Sequence, residues 1–284
     1  MTSGDGLARA VAKLEASGIR TATLDAEVLL ADVLGCRCED VLAHPEKALH
    51  AAQQREYDAL VERRARYEPV AYLTGKKEFY GRMFRVSPAV LIPRPETEHL
   101  VEAVLAHLPH DSTKTVVDVG TGSGNIAITL ALERPRSCVT ATDISADALR
   151  IAQENADAHH ARVALLESDL LRAIVDDPAD IVVANLPYLP RDEQLTGPDE
   201  QARTYEPDRA LYADGPHGTR LLNGLLRAIE ENDWRPSLIA LEIDPAQVAI
   251  LRETVARLLP AYHLSTTQDL AGRARVALIQ PEED

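Results

Sequence analysis

A glycine-rich segment, Asp118-Val119-Gly120-Thr121-Gly122-Ser123-Gly124, lies directly between a predicted strand and a predicted helix. Glycines at such a junction allow a tight turn and let the backbone approach a ligand closely. The spacing is not that of a phosphate-binding loop, and no lysine follows it to hold phosphates. Asp143 ends the next predicted strand, about 20 residues further on, where a carboxylate can accept hydrogen bonds from both ribose hydroxyls of an adenosine ligand. We therefore expect an adenosine-containing cofactor, either NAD or S-adenosylmethionine, and assign to its binding Gly120, Thr121, Gly122, Ser123, Gly124 and Asp143.

A polar triplet, Ser168-Asp169-Leu170, follows the third predicted strand. It carries weight only through its position, because the carboxyl ends of parallel strands meet at one edge of the sheet. There, Asp169 is placed to meet the adenine amino group and Leu170 to contact its ring. Both are added to the predicted cofactor-binding residues.

The fourth predicted strand ends in Asn185-Leu186-Pro187-Tyr188. An amide or aromatic amine nitrogen attacks poorly, because its lone pair is delocalised. The side-chain oxygen of Asn185 and the backbone carbonyl of Leu186 can accept its two N–H groups and so direct the lone pair. Pro187 biases the preceding residue towards the extended geometry that presents this carbonyl, and Tyr188 can stack on the planar group. We predict these four residues as catalytic, with Asn185 also beside the cofactor, and alignment of the reactants as the main source of catalysis.

The tetrapeptide resembles the signature of amino-type N-methyltransferases, and further motifs resemble release-factor glutamine methyltransferases over nearly the whole chain. These motifs are Tyr72-Leu73-Thr74-Gly75, Glu78-Phe79-Tyr80-Gly81, Leu91 to Glu98, the Asp118 to Gly124 loop, Tyr205-Glu206-Pro207 with Ala210-Leu211, and Asp269-Leu270-Ala271-Gly272-Arg273. The resemblance implies S-adenosylmethionine as cofactor and a peptide-chain release factor as protein substrate. The methyl acceptor would be the side-chain amide of the glutamine in its Gly-Gly-Gln motif.

Three segments differ from the usual pattern of that family. Leu186 stands where the family usually has proline, the turn in Leu241 to Gln247 is shortened, and Ala213 to Gly218 replaces a stretch richer in glycine. A second hypothesis therefore stays open, namely N-methylation of a small-molecule amine or, less favoured, of adenine in nucleic acid. A non-catalytic cofactor-binding scaffold is disfavoured, because the loop glycines, Asp143, Asn185 and Tyr188 are all present.

Strands alternate with helices from Lys114 onward, which predicts an α/β fold with a doubly wound, mostly parallel sheet of the Rossmann-like class I methyltransferase type. Apolar spacing before Gly35 and over 48–66 predicts helices in the N-terminal part. Gly81 divides two short runs that predict a β-hairpin, and Pro95 suits the first turn of a helix. We predict a helical substrate-docking domain over 1–75, a β-hairpin linker over 76–92 and a methyltransferase domain over 93–284.

Composition narrows the functional class further. The 284 residues carry a formal net charge of −15, whereas nucleic-acid binders concentrate Lys and Arg on one face. Direct nucleic-acid binding is therefore disfavoured, although a small basic cluster occurs at Arg63, Arg64, Arg66, Lys76 and Lys77. The three cysteines have no zinc-ligand spacing, so no metal site is predicted. With neither a membrane-spanning apolar run nor a signal-like start, we expect a cytoplasmic protein.

Overall fold

The computed structural model of the chain describes residues 1–190, 204–269 and 271–282. Two compact units are present in these ranges, one containing Met1–Lys76 with 204–206 and the other containing the remaining described residues from Lys77 onward. Along the chain, the division between the two units falls between Lys76 and Lys77 and again between Glu206 and Pro207. The division into docking domain, linker and methyltransferase domain is a functional one and stays a prediction.

The N-terminal unit is helical, with α1 at Ser3–Ala16, α2 at Ala22–Leu34, α3 at Cys38–Ala43, α4 at Ala51–Arg64 and α5 at Val70–Thr74. Helix α1 starts where Thr2 and Asp5 form a capping box, and α2 ends at Gly35 in the left-handed conformation that favours glycine. The core of this unit contains Leu14, Leu29, Leu30 and Tyr57.

The basic cluster predicted from the sequence is largely neutralised within this unit. Arg64 lies 2.8 Å from Asp25 in a pair that is mostly buried, and Lys76 lies 2.6 Å from Asp32. Arg63 pairs with Glu68 at 2.5 Å. These cations are therefore held by carboxylates of the same unit and do not form a continuous basic surface.

The second unit is built on a seven-stranded sheet in the order β10-β11-β9-β6-β3-β4-β5. The strands of the chain are β1 Lys76–Phe79, β2 Arg82–Arg85, β3 Thr115–Val119, β4 Cys138–Asp143, β5 Val163–Glu167, β6 Ile181–Ala184, β7 Leu189–Pro190, β8 Tyr212–Ala213, β9 Leu238–Glu242, β10 Tyr262–Gln268 and β11 Ala274–Pro281. Strands β5, β4, β3, β6 and β9 are parallel. Strand β11 pairs antiparallel with β9, and the edge strand β10 pairs antiparallel with β11, so β11 alone in this sheet runs in the opposite direction. The chain winds from β3 to one side through β4 and β5 and then crosses to β6 on the other side. The crevice outside the carboxyl ends of the neighbouring strands β3 and β6 is therefore the topological switch point, where α/β sheets bind ligands.

Helices cover both faces of the sheet: α6 Thr97–His107, α7 Asn125–Glu133, α8 Ala146–His159, α9 Asp208–Leu211, α10 Arg220–Glu231 and α11 Val248–Leu258. Neighbouring residues of β3 point to opposite faces, as a strand requires. Val117 packs into one core with Leu225 of α10 and Val255 of α11, and Val116 packs into the other with Val104 of α6. The predicted doubly wound class I fold is confirmed.

Several local expectations needed correction. Helix α6 begins at Thr97 with Glu96 as its N-cap, so Pro95 lies in the turn before the helix and not in its first turn. The sequence interpretation missed α10 and the edge strand β10, although β10 alternates buried Tyr262 and Leu264 with exposed His263 and Ser265. Leu270, part of one resemblance motif, lies outside the described residues.

Candidate active site

A cleft opens at the switch point of the sheet and encloses about 980 Å³, part of it open to solvent. Most residues predicted from the sequence line it: Gly120, Thr121, Gly122, Ser123, Asp143, Asp169, Leu170, Asn185, Leu186 and Pro187. Among the predicted residues that the structure describes, Gly124 and Tyr188 do not line this cleft. The strand ends thus bring the predicted cofactor residues and most of the predicted catalytic residues to one cavity.

The glycine-rich loop takes its shape from three left-handed residues, with φ values of 76° at Gly120, 56° at Gly122 and 80° at Gly124. The amides of Gly120 and Thr121 both donate to the carbonyl of Thr142, at 2.8 and 2.9 Å, which joins the loop to β4. A β-carbon at Gly124 would lie 2.9 Å from Ile128 Cδ1. Gly124 therefore serves as the N-cap that lets α7 pack closely, and not as part of the cleft wall.

Asp118 holds the loop from inside the protein. Its Oδ2 accepts a hydrogen bond from the Thr121 hydroxyl at 2.6 Å and another from the Ala127 amide at 3.2 Å. Its Oδ1 is buried and makes no hydrogen bond. Burial raises the pKa of Asp118 to about 7, against the lowering effect of these two donors. Asp118 thus couples the loop to the first turn of α7.

Asp143 lies at the end of β4, where the sequence analysis expected the ribose acceptor. Its Oδ2 accepts from the amide of Gly122 at 2.9 Å, and its Oδ1 accepts from the amide of Ser145 at 2.9 Å. Burial raises the pKa of this carboxyl group, while the hydrogen bonds and the charge of Arg209 act in the opposite direction. Two backbone donors therefore orient the carboxylate, which lines the cleft with both oxygens in fixed positions.

The apolar part of the cleft is formed by side chains that follow β4 and β5. Ile144 is 60% exposed although it is a large aliphatic residue, and it lines the cleft together with Leu170. Leu170 has a positive φ of 54°, and its carbonyl accepts a hydrogen bond from Thr142 at 3.3 Å. Asp169 lies 3.1 Å from Arg172, which orients its carboxylate. This pairing of exposed aliphatic surface with a carboxylate suits a flat heterocycle with a polar edge.

Asn185 directly follows β6 and faces the beginning of α6. Its Nδ2 donates a hydrogen bond to the Thr97 hydroxyl at 3.1 Å. The carboxamide oxygen is therefore the end of the side chain that is not committed to Thr97. The side chain of the next residue, Leu186, is buried in the core between the sheet, α10 and α11, so the same residue anchors the segment and carries the carbonyl predicted to act.

Tyr188 lines a second cavity, together with Pro190, His217 and Asp244 among others. Gly218, with a φ of 67°, is so close to this segment that a β-carbon there would lie 2.1 Å from the carbonyl oxygen of Tyr188. The shortened turn after β9 also contacts this second cavity, through a hydrogen bond to the segment that contains His217. Gln247 of this turn donates from Nε2 to the carbonyl of His217 at 2.8 Å.

The sequence analysis missed several residues of the site. Arg94, Thr97, Ile144 and Arg209 line the cleft, and Arg94 and Thr97 lie inside the Leu91 to Glu98 motif, where the sequence analysis used them only as part of the family resemblance. Glu98, at the end of that motif, accepts a hydrogen bond from the Tyr80 amide at 2.9 Å and so holds the turn of the β1–β2 hairpin. The helical spacing of apolar residues in α6 could have identified Thr97 as the first residue of the helix. It could not have identified Thr97 as a hydrogen-bond partner of Asn185.

Two absences hold for residues 1–190, 204–269 and 271–282. Within these ranges no helix is both long enough and apolar enough to cross a membrane. The same residues contain no cluster of three or more His, Cys, Asp or Glu side chains that could hold a metal ion.

Fold and cleft together define a methyltransferase of the Rossmann-like class, and the family model described as methyltransferase small domain matches residues 97–196. The model described as PrmC N-terminal domain matches residues 5–75. A release factor glutamine methyltransferase of Koribacter versatilis is 45% identical over 235 residues, which cover 82% of each chain. Another, from Moorella thermoacetica, is 40% identical over 287 residues and the full length of both chains. The chain therefore belongs to the release factor glutamine methyltransferase family, as its motifs had indicated.

Solved structures support the fold alone. A ribosomal protein L11 methylase from Lactobacillus delbrueckii subsp. bulgaricus is similar with a TM-score of 0.51 and 22% identity, covering 73% of this chain and 90% of that one. A methyltransferase from Pyrococcus furiosus has a TM-score of 0.53 and 17% identity, covering 78% and 99%.

Proposed function

We propose that this protein transfers a methyl group from S-adenosylmethionine to the side-chain amide nitrogen of the Gly-Gly-Gln glutamine in peptide-chain release factors. One observation carries the chemistry: the glycine loop, Asp143 and the Asn185-Leu186 pair line a single cleft. The choice of acceptor rests on the names of the relatives, which are release factor glutamine methyltransferases along most of the chain.

The cleft fits the cofactor in its polar and apolar parts. A β-carbon at Gly122 would meet no protein atom within 4 Å, so the loop borders open space there. The carboxylate of Asp143 suits the ribose hydroxyls, and Ile144 with Leu170 offers aliphatic surface that an adenine ring would cover. When bound, S-adenosylmethionine supplies an electrophilic methyl group on a positively charged sulfur.

The residues of the chain then have to make a poor nucleophile attack. Asn185 Oδ1 and the Leu186 carbonyl accept the two N–H groups of the glutamine amide and hold its nitrogen in a single orientation. This positioning converts a bimolecular reaction into an almost unimolecular one, and fixed dipoles cost no reorganisation as charge develops. The nitrogen becomes acidic only after the new N–C bond forms, so no strong base is required before that point. Tyr188, which follows this segment and lines the second cavity and not the cleft, is proposed to confine the planar amide from that side.

The helical N-terminal unit is proposed to dock the release factor, in line with the functional division at residues 75 and 92. A release factor as partner also places the activity in the cytoplasm, and the formal net charge of −15 disfavours direct binding to nucleic acid. All three assignments are part of the proposal, and the first two depend on the substrate.

The direct test is to incubate the purified protein with methyl-labelled S-adenosylmethionine and a recombinant release factor, followed by peptide mass spectrometry. We expect a mass gain of one methyl group on the Gly-Gly-Gln glutamine, and no gain in a release factor with alanine at that glutamine. Structured RNA and free aromatic amines serve as parallel acceptors. Label in either of these, with none in the release factor, would assign the protein to the alternative substrates.

A further inference from the structure

Three polar side chains from separate elements lie at the wall of the cleft, which Asn185 and Thr97 line and Glu242 does not. Asn185 follows β6, Thr97 is the first residue of α6 and Glu242 is the last residue of β9. Thr97 and Glu242 are 2% and 4% exposed, so water competes little for their hydrogen bonds. Asn185 Nδ2 donates to Thr97 Oγ1 at 3.1 Å, and hydrogen bonding by the Thr97 hydroxyl lowers the pKa of the neighbouring Glu242 carboxyl group.

The direction of these hydrogen bonds determines which way the Asn185 carboxamide is turned. A hydroxyl has one hydrogen, and an ionised carboxylate only accepts. When Glu242 is ionised, the Thr97 hydrogen is therefore used towards Glu242, and the Thr97 oxygen can only accept from Asn185. The carboxamide of Asn185 has nearly the same shape in either flipped state, so packing alone does not choose between its nitrogen and its oxygen.

We propose that Thr97 and Glu242 are positioning residues that fix the Asn185 carboxamide with its nitrogen towards Thr97 and its oxygen towards the methyl acceptor. The inference rests on the proposed role of Asn185. In the opposite flip, the Asn185 amino group would face the N–H groups of the acceptor, and a donor would meet donors. Thr97 and Glu242, which we call the relay, therefore select the one orientation of the Asn185 carboxamide that can hold a substrate amide.

The surroundings of Glu242 make this selection dependent on pH. Glu96 and Arg94 face it from the start of α6, and Arg275 faces it from β11, where Asp269 binds Arg275 at 3.0 Å. Glu242 Oε2 is buried without a hydrogen bond. Burial raises the pKa of Glu242 to about 7, and the Thr97 hydrogen bond and the two arginines lower it less than burial raises it. Below that pH the protonated carboxyl can itself donate to Thr97, and the constraint on Asn185 is lost.

The test uses the full-length variants Thr97→Val, Thr97→Ser and Glu242→Gln, with Thr129→Val as the control. Thr129 is fully buried and its hydroxyl has no partner, so valine there removes a hydroxyl outside the relay. We expect Thr97→Val to lower kcat on a release factor about 10-fold or more, because one oriented polar group is lost. The KM for the release factor and the affinity for S-adenosylhomocysteine should stay within about threefold. Thr97→Ser should restore kcat, and Thr129→Val should leave it unchanged.

The pH profile separates this role from simple packing. Wild-type kcat should rise between about pH 6 and 8 as Glu242 ionises, and Glu242→Gln should lower kcat and flatten this rise, because glutamine can donate to Thr97 at any pH. Wild-type turnover in Thr97→Val, or a Thr97→Ser variant as slow as Thr97→Val, would overturn the inference. If a thermal unfolding assay shows that Thr97→Val does not fold, the kcat of Thr97→Ser and the pH profile of Glu242→Gln still test the inference. A wild-type protein that methylates no release factor would instead defeat the proposed function.

Discussion

A β-carbon added to Gly120 would lie 2.9 Å from Cδ2 of Leu186, so the glycine-rich loop and the proposed catalytic segment are in direct contact. Leu186 is 4% exposed and packs into the core, which limits how far it can move aside. A change in the loop therefore displaces the residue whose carbonyl is proposed to hold the substrate. A substitution in the loop is therefore expected to affect the position of the Asn185-Leu186 segment as well.

The variant Gly120→Ala tests this coupling. Alanine at a φ of 76° costs about 1–2 kcal/mol, and the contact with Leu186 adds to that strain. We expect the affinity for S-adenosylhomocysteine, measured by calorimetry, to fall about 10-fold, which corresponds to about 1.4 kcal/mol. Gly35→Ala is the matched control, because its φ is 62° and its β-carbon would meet no atom within 4 Å. That variant should lose stability only, and a similar loss of affinity in both variants would refute the coupling.

Neighbouring residues in the catalytic segment should separate chemistry from stability. Asn185→Ala removes a proposed acceptor, so kcat should fall about 10²- to 10³-fold, as when one oriented polar group of an active site is lost. Leu186→Ala keeps the backbone carbonyl but empties a buried site, and should cost about 2–5 kcal/mol in the free energy of unfolding. Steady-state kinetics and denaturant unfolding measure the two effects. Wild-type turnover in Asn185→Ala would remove the basis of the proposed mechanism.

Asp143→Ala should act on the cofactor. Loss of charged hydrogen bonds of about 1.5–3 kcal/mol predicts a ten- to hundredfold weaker affinity for S-adenosylhomocysteine. In the wild type the affinity should also weaken towards acidic pH, because the raised pKa of Asp143 lets its carboxyl group protonate earlier than usual. Asp147→Ala, an exposed change on the adjoining helix, controls for the lost negative charge. Equal affinities in the two variants would contradict the assignment.

Asp118 should make stability depend on pH with a definite sign. Its pKa in the folded protein is raised to about 7 from 3.8, so the folded state binds the proton more tightly than the unfolded state. The stabilising contribution is complete below about pH 4 and is lost as pH rises through 7, by at most about 1.4 kcal/mol per pH unit. Asp118→Asn should therefore show a smaller decline in the free energy of unfolding between about pH 5 and 8. Urea unfolding of both proteins over this range measures it, and parallel curves would show that Asp118 does not titrate there.

Local signals predicted much of the fold and the site. The three loop glycines were identifiable because left-handed φ values favour glycine at exactly such strand-to-helix turns, and all three adopt them. Alternation and spacing placed β3 and α7 at their observed bounds. The same approach missed β10, an edge strand with a largely polar exposed side, and misplaced the start of α6, because proline fits either a turn or a first helical turn.

The sequence by itself determined the class of the protein. It also identified the glycine-rich loop with Asp143 and the Asn185-Leu186-Pro187-Tyr188 segment as candidate site residues, since each of these depends on neighbours in the chain. Only the tertiary structure decided that Thr97, 88 residues from Asn185, is its hydrogen-bond partner and that Glu242 stands behind both. The physical reason is the order of the strands: the chain crosses from β5 to β6 beside β3, β9 pairs with β6, and α6 packs against β9, so the three segments meet. A contact between segments so far apart in the chain leaves no local periodicity in the sequence, so it could not be predicted from the sequence.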